Sequence, residues 1–261
     1  MSDTSSSRGG AISGAGREIT ENRFNDGVSA GEERARLVQE MFDRIAGRYE
    51  LLNALMSAGL NRIWNKKAFQ ATGLRLGGRA LDLACGTGSL TREIAKEVGT
   101  EGYVLGIDFS KEMIRGAKNR PMSNVEYRLG DATDLQSVED GSFDAATIAY
   151  GARNIPDLDA LFREMARAVK PGGRVVCLEI ARPRGRFFAA FYGMWFDCLV
   201  PWLGAKVSGD AWAYSYLPES VKAFVAPGEL AEIMRRNGLQ DVTWRRFSGG
   251  IITLPAGTKP G

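Results

Sequence analysis

Residues 82–90 read Asp82-Leu83-Ala84-Cys85-Gly86-Thr87-Gly88-Ser89-Leu90, and Asp108 stands about twenty residues beyond the second glycine. The preceding Arg79-Ala80-Leu81 completes a short apolar strand over 79–83, and 89–98 has helical patterning. Glycines at a strand-to-helix turn let the backbone approach a ligand where side chains would collide. Asp108 closes a second apolar run, Tyr103-Val104-Leu105-Gly106-Ile107. A carboxylate at the end of such a strand accepts hydrogen bonds from both hydroxyls of a ribose. The set predicts a nucleoside-containing cofactor on an α/β sheet and leaves open which one.

Working outward, the dinucleotide fingerprint G-x-G-x-x-G wants a third glycine for close helix packing. Thr91 stands there, so the loop reads D-x-x-x-G-x-G. Further strands are expected over 124–129, 143–149 and 174–179, with a late pair over 239–247 and 251–254. Helices over 89–98, 111–119 and 157–169 separate the first five strands, which implies a parallel sheet. Ser248-Gly249-Gly250 would join the late pair as an antiparallel hairpin, and Pro171-Gly172-Gly173 reads as a turn before the fifth strand. Ahead of the sheet, 1–28 is Ser/Gly-rich and reads as a disordered tail. Leu37, Met41, Ile45, Tyr49, Leu52 and Leu55 give 30–57 a helical period, and a second helix is expected over 62–71.

The bulk numbers bound the partners. With 261 residues, 44% hydrophobic and 25% charged, the chain has ample material for a core. A net charge of +3 without a Lys/Arg run argues against a nucleic-acid partner. Cys85, Cys177 and Cys198 have neither disulfide nor zinc spacing, which fits a cytoplasmic protein. No run reaches the roughly 18–20 apolar residues of a membrane span. Histidine is absent, which excludes a histidine base, the nucleophile–histidine arrangements and every His-ligated metal.

Two resemblances narrow the reading. The D-x-x-x-G-x-G loop resembles the first motif of the S-adenosylmethionine-dependent methyltransferases. Over 41–253 the chain resembles the ubiquinone/menaquinone biosynthesis C-methyltransferase family. The segments that carry it run Phe42-Asp43-Arg44-Ile45-Ala46-Gly47-Arg48-Tyr49-Glu50 through Trp64, Ala149-Tyr150-Gly151-Ala152-Arg153-Asn154, Lys170-Pro171-Gly172-Gly173, and Gly209-Asp210 through Ser220. The family pattern usually has Asp at Glu50, His at Asn61 and Asp at Ser89, so these are departures. Asn61 cannot replace a catalytic histidine, and a structural role for that position is the favoured reading.

The resemblance implies a Rossmann-like, seven-stranded class I methyltransferase sheet with helices on both faces. A helical cap would occupy 29–78, and the methyltransferase domain 79–261. The aromatic-rich stretch 186–217 reads either as core helix plus loop or as a lid for a large apolar substrate. The implied reaction is C-methylation of a polyprenylated quinol with S-adenosylmethionine and no metal. Demethylmenaquinol leads. A demethylated benzoquinol, or the substrate of a drifted secondary-metabolite methyltransferase, stands as the alternative. An NAD oxidoreductase and a non-catalytic binding protein are disfavoured by Thr91 and by the intact Gly86, Gly88 and Asp108 respectively. Peripheral contact with the inner face of a membrane and a homodimer are compatible with the sequence.

For the cofactor, the expected residues are Asp82, Gly86, Thr87 and Gly88 in the loop, Asp108 for the ribose, Asp131-Ala132 for the adenine amino group, and Ala149. A turn cap is the alternative for Asp131. For the substrate, Arg153 is the first choice to stabilise the quinol oxygen and Asn154 adds a hydrogen bond; a structural ion pair is the alternative for Arg153. Tyr49, Asn53, Tyr150, Tyr214 and Tyr216 are expected to line the ring pocket, or else to be core.

Overall fold

Alternating apolar strands and amphipathic helices bury a parallel sheet on both faces. In the computed structural model, which describes residues 30–183, 193 and 211–261, that sheet has seven strands. They are β1 (Arg79–Leu83), β2 (Tyr103–Asp108), β3 (Val125–Leu129), β4 (Phe143–Ala149), β5 (Val169–Ile180), β6 (Gln240–Phe247) and β7 (Ile252–Thr258). Their order is β3-β2-β1-β4-β5-β7-β6. β7 pairs antiparallel with both β5 and β6, and the other pairings are parallel.

The two-residue period of the strands sorts side chains between two cores. Leu81, Leu83, Leu105, Ile107, Ala146, Ile148, Val175 and Cys177 fall on one face. There they meet Leu161, Phe162 and Met165 of α6 (Leu158–Ala168) and Leu230, Ile233 and Met234 of α8 (Pro227–Arg236). Ala80, Val104, Val176 and Leu178 fall on the other face. They pack on Trp64 and Ala68 of α3 (Asn61–Thr72) and on Leu90, Ile94 and Val98 of α4 (Ser89–Val98). The carboxyl ends of β1, β2 and β4 therefore share one edge, where ligands bind in open α/β sheets.

Helix boundaries follow local chemistry. Ser110 caps α5 (Lys111–Lys118) by accepting from the Met113 N–H at 3.1 Å, and Asp157 caps α6 by accepting from Ala160 at 2.9 Å. Gly73, at φ +68°, ends α3.

Several boundaries depart from the expectations. The single helix expected over 30–57 is two, α1 (Ala30–Ile45) and α2 (Tyr49–Met56), separated by a 3-10 turn over Ala46–Arg48 that contains Gly47. Gly offers little helix propensity there, and the break turns Tyr49 toward the sheet edge. β5 begins at Val169 rather than 174, because Lys170–Gly173 bulge between the pairings Phe143–Val169 and Ala145–Arg174. Lys259 pins that bulge: its N–H donates to the Gly173 carbonyl at 2.9 Å, and its carbonyl accepts from Gly172 at 2.9 Å. The expected hairpin forms, with a 3-10 turn at Ser248–Gly250. Helix α8 was not expected, and α7 (Ala211–Ala223) begins within the stretch 186–217, for which a core helix plus loop was one of the two readings, and runs beyond it. Most of the aromatic stretch expected as a lid lies outside the described residues.

Candidate active site

The carboxyl edge of the sheet opens into a cavity of about 380 Å³, within the range of small-molecule sites. Ala84 and Gly86 after β1, Asp108 and Phe109 after β2, Asp131 and Ala132 after β3, and Ala149 to Gly151 after β4 form its wall. Phe42 of α1 and Tyr49 of α2 close it from the cap.

Two wall residues sit in the left-handed region although neither is glycine: Ala84 at φ +48° and Tyr150 at φ +58°. Each costs on the order of 1 kcal/mol or more, which marks both strand exits as places where packing overrides local preference. Their loops touch. A Cβ on Gly151 would stand 2.5 Å from the Ala84 Cβ, so only glycine fits.

Asp108 is almost fully buried. Its Oδ2 accepts from the Gly86 N–H at 2.8 Å and its Oδ1 from the Ser110 N–H at 2.9 Å. Each oxygen keeps acceptor capacity toward the cavity. Burial pushes the Asp108 carboxyl up to about 6, against those two amides, and the neighbouring Asp43 adds to the rise. Asp43 itself accepts from the Ser110 hydroxyl at 2.5 Å and from Glu112 N–H at 3.3 Å, which ties α1 to the start of α5.

The glycine loop works differently from the expectation. The Gly86 amide is held by Asp108, and the Gly88 amide donates to the Cys85 carbonyl at 2.9 Å. Neither points a free N–H at a ligand. Gly86, at φ +55°, contributes clearance on the wall. Gly88, at φ +80°, is glycine because a Cβ would fall 2.2 Å from the Tyr127 hydroxyl. Thr87 and Gly88 are not on the wall. The Thr87 hydroxyl donates to Glu50 Oε1 at 3.0 Å.

Asp82 also lies off the wall. Its oxygens accept from Thr91 Oγ1 at 2.6 Å and Thr147 Oγ1 at 2.7 Å, so it latches β1 to α4 and β4. Burial raises its carboxyl to about 6. Asp131 lines the cavity, and its Oδ1 accepts from both the N–H and the hydroxyl of Thr133, at 2.8 and 2.7 Å. The turn-cap geometry is present, and Oδ2 remains available to a ligand.

On the substrate side, Tyr150 and Asn154 reach the wall and Arg153 does not. The Arg153 side chain is 7% exposed and that of its partner Glu179 0%, joined Nη1 to Oε1 at 2.6 Å. Nη1 also donates to the Tyr150 carbonyl, and Nε has no hydrogen-bond partner among the described residues. Burial opposes the Arg153 charge, but Glu179 and Tyr49 outweigh it and hold the guanidinium above its ordinary value. The ion-pair alternative thus describes its contacts. The charge still sits behind Tyr49 and Tyr150, whose hydroxyls it favours in the ionised form against the larger upward push of burial. The Tyr150 hydroxyl is buried without a partner among the described residues. Tyr216 lies off the wall and donates to Asn154 Oδ1 at 3.1 Å. Asn53 also lies off the wall and hydrogen-bonds Tyr49. The Tyr214 side chain lies outside the described residues.

The expected S-adenosylmethionine fits this donor set. Asp108 suits ribose hydroxyls, the apolar shelf of Ile107, Phe109 and Met113 suits adenine, and Asp131 Oδ2 suits an exocyclic amine. A family model described as the ubiE/COQ5 methyltransferase family matches residues 28–259. The chain belongs to the ubiE/COQ5 methyltransferase family. It is 40% identical over 236 residues to a demethylmenaquinone methyltransferase of Desulfitobacterium hafniense, covering 88% of this chain and 93% of that protein. It is 36% identical over 233 residues to a ubiquinone/menaquinone biosynthesis C-methyltransferase of Pseudomonas paraeruginosa, covering 87% and 91%. Among solved structures, the [4+2]-cyclase SpnF superposes with a TM-score of 0.63 at 19% identity, covering 87% of this chain and 97% of that one. A SAM-dependent methyltransferase from Aquifex aeolicus superposes at 0.55 and 18%, covering 74% and 88%. These two show the fold.

As a member of this family the chain is a methyltransferase, and its site includes residues that sequence reasoning missed. Phe109 and Met113 follow Asp108 at the sheet edge, a signal that topology alone supplies. Glu50, read only as a departure from the family pattern, is a junction. It accepts from Thr87, from Arg92 Nη2 at 2.8 Å and from Arg120. Burial raises its carboxyl, and the three donors together bring it below its usual value. The other departures are local. Asn61 opens α3 off the wall, its Oδ1 accepting from the Arg62 N–H at 3.0 Å, and Ser89 accepts from Asn65 Nδ2 at 3.3 Å.

Proposed function

We propose that this chain methylates a ring carbon of a polyprenylated quinol, with demethylmenaquinol as substrate and S-adenosylmethionine as donor. The observation that carries the reading is a largely apolar cavity wall shared by Tyr150, Asn154 and Asp108, in which the buried Tyr150 hydroxyl has no partner among the described residues. The name of the 40% identical relative supports the naphthoquinol. The name of the 36% identical relative supports a benzoquinol acceptor as the second reading.

The donor supplies an electrophilic methyl carbon on a sulfonium. The residues position the acceptor. Tyr150, held protonated by burial, donates to the quinol oxygen, and Asn154, braced by Tyr216, fixes the ring. The Arg153–Glu179 pair sits behind them, and its cation favours negative charge developing on that oxygen. Phe42, Tyr49, Ile155 and Pro156 make the site apolar, which excludes water from the reacting atoms. Asp108 holds the ribose and Asp131 the adenine amine.

The test is transfer of labelled methyl from S-adenosylmethionine to two short-chain reduced acceptors, a demethylmenaquinol and a demethylated benzoquinol. Label on the naphthoquinol alone supports the proposal, and label only on the benzoquinol replaces it with the second reading. No label on either, with donor bound, removes the quinol assignment. Tyr150→Phe should lower kcat roughly a hundredfold, the scale of losing one oriented donor. It should leave the melting temperature unchanged or higher, because an unpaired buried hydroxyl is removed.

A further inference from the structure

The outer face of the cap is apolar where a solvated surface should be polar. Leu51 is 56%, Leu55 43%, Leu60 41% and Ile63 53% exposed. Leu51 and Leu55 are four residues apart and share one face of α2. Tyr49 and Asn53 interleave with them and face inward. The tight connection after α2, with Ala58 at φ +48° and Gly59 at φ +76°, leads straight into α3, which carries Leu60 just before its first residue and Ile63 in its first turn. Single exposed apolar residues need no explanation, but four within thirteen residues of one helix–turn–helix call for one.

Charge identifies the occupant. Residues 51–79 contain Arg62, Lys66, Lys67, Arg75 and Arg79 and no Asp or Glu. Arg62 and Lys66 are exposed on the same outer face of α3 as Ile63, opposite the buried Trp64, Asn65, Ala68 and Thr72. The nearest carboxylate before this stretch, Glu50, is turned inward onto Arg92 and Thr87. Protruding Leu and Ile flanked by cations, in a stretch of sequence with no Asp or Glu, suit an anionic lipid surface: the apolar side chains enter the acyl boundary and the cations meet the headgroups.

We propose that the α2–α3 tip, centred on Leu51, Leu55, Leu60 and Ile63 and flanked by Arg62 and Lys66, docks the protein on an anionic bilayer. The inner face of α2 carries Tyr49 on the cavity wall, so docking places the cavity about one helix diameter, roughly 10 Å, from the lipid. That placement gives the tip its purpose only under the quinol reading. The surface itself is argued from exposure and charge alone.

The test is co-sedimentation of the full chain with phosphatidylcholine vesicles, with and without phosphatidylglycerol and free of quinone. The expected result is binding that needs phosphatidylglycerol and weakens with salt. Leu51→Asp with Ile63→Asp should reduce it at least about tenfold, and Arg62→Glu with Lys66→Glu should remove its salt dependence. Methyl transfer to a detergent-dispersed short-chain acceptor should match wild type in both variants, which shows that they fold. Equal vesicle binding by Leu51→Asp/Ile63→Asp and wild type overturns the proposal. So does a wild-type dimer, measured by light scattering, that the same variant converts to monomer without any vesicle binding. Failure of the quinol reading would instead appear as absent methyl transfer in wild type, with vesicle binding intact.

Discussion

At the scale of single residues, the site rests on two buried charges whose surroundings decide their roles. Arg153 reads from sequence as a residue that touches substrate, yet its contacts are with Glu179 and the Tyr150 carbonyl. Breaking such a pair strands a charge and costs about 3–5 kcal/mol, so Arg153→Ala would confuse instability with lost catalysis. Arg153→Met combined with Glu179→Gln leaves no stranded charge. We expect its melting temperature to return close to wild type while kcat stays down by about a hundredfold or more; recovery of kcat alongside stability would make the pair purely structural. Asp108 supplies a pH dependence. Burial lifts its folded pKa to about 6, above the ordinary value of 3.8. Its contribution to ligand-free stability is therefore complete below about 4 and is lost as pH rises through about 6. Under the proposed function binding runs the other way, because ribose hydroxyls would donate to the ionised form. Calorimetric affinity for the cofactor should rise as pH climbs through about 6 and then level off. Asp108→Asn should weaken affinity at neutral pH by roughly tenfold to a hundredfold and abolish that rise. A rise that survives in Asp108→Asn would assign the titration elsewhere.

At the scale of elements, the cap is held to the sheet edge by Glu50. One carboxylate near the start of α2 collects donors from the glycine loop, from α4 and from the segment after α5. Glu50→Gln keeps the shape and removes the charge that two arginines meet. Its expected effect is a cofactor affinity about tenfold weaker with kcat at saturation within about twofold, on the scale of a charged hydrogen bond. Glu50→Asp, which keeps the charge on a shorter side chain, should recover most of the loss. A fall in kcat with unchanged affinity would show instead that Glu50 acts on the methyl acceptor. The seven strands and the helices over 89–98, 111–119 and 157–169 were legible in the sequence, and the helix over 227–236 was not. Strand period, helical period and glycine turns are local signals, and the sheet and its reversed edge strand follow them. The destinations of side chains were not legible, because each is fixed by a partner far along the chain. Gly88 answers to Tyr127, Thr87 to Glu50, and Arg153 to Glu179. No spacing rule announces such pairs. The break at 46–48 was hidden for a related reason. Hydrophobic period continues through it, while the backbone turns to bring Tyr49 to the cavity.

At the scale of the whole molecule, the cavity wall is drawn from the cap and from the sheet edge, so a ligand in it joins two parts that also meet through polar contacts. Gln39 to the Phe109 carbonyl at 2.8 Å, Asp43 to Ser110, and Glu50 to the glycine loop are among those contacts. A ligand that touches Phe42 and Tyr49 on one side and Asp108 on the other adds its binding energy to that junction. At a concentration a hundredfold above its Kd, it adds about 2.7 kcal/mol to folded stability. For a chain of this size that corresponds to a melting temperature higher by roughly 5–10 °C. The location of the gain tests the architecture. Hydrogen exchange should slow in α1 and α2 as well as in the loops after β1 and β2, because the cap can open locally only by releasing the ligand. Asp108→Asn at the same ligand concentration should lose most of both effects. Protection confined to the loops, with α1 and α2 exchanging at their ligand-free rate, would mean that the cofactor binds without the cap and that Phe42 and Tyr49 serve the methyl acceptor alone.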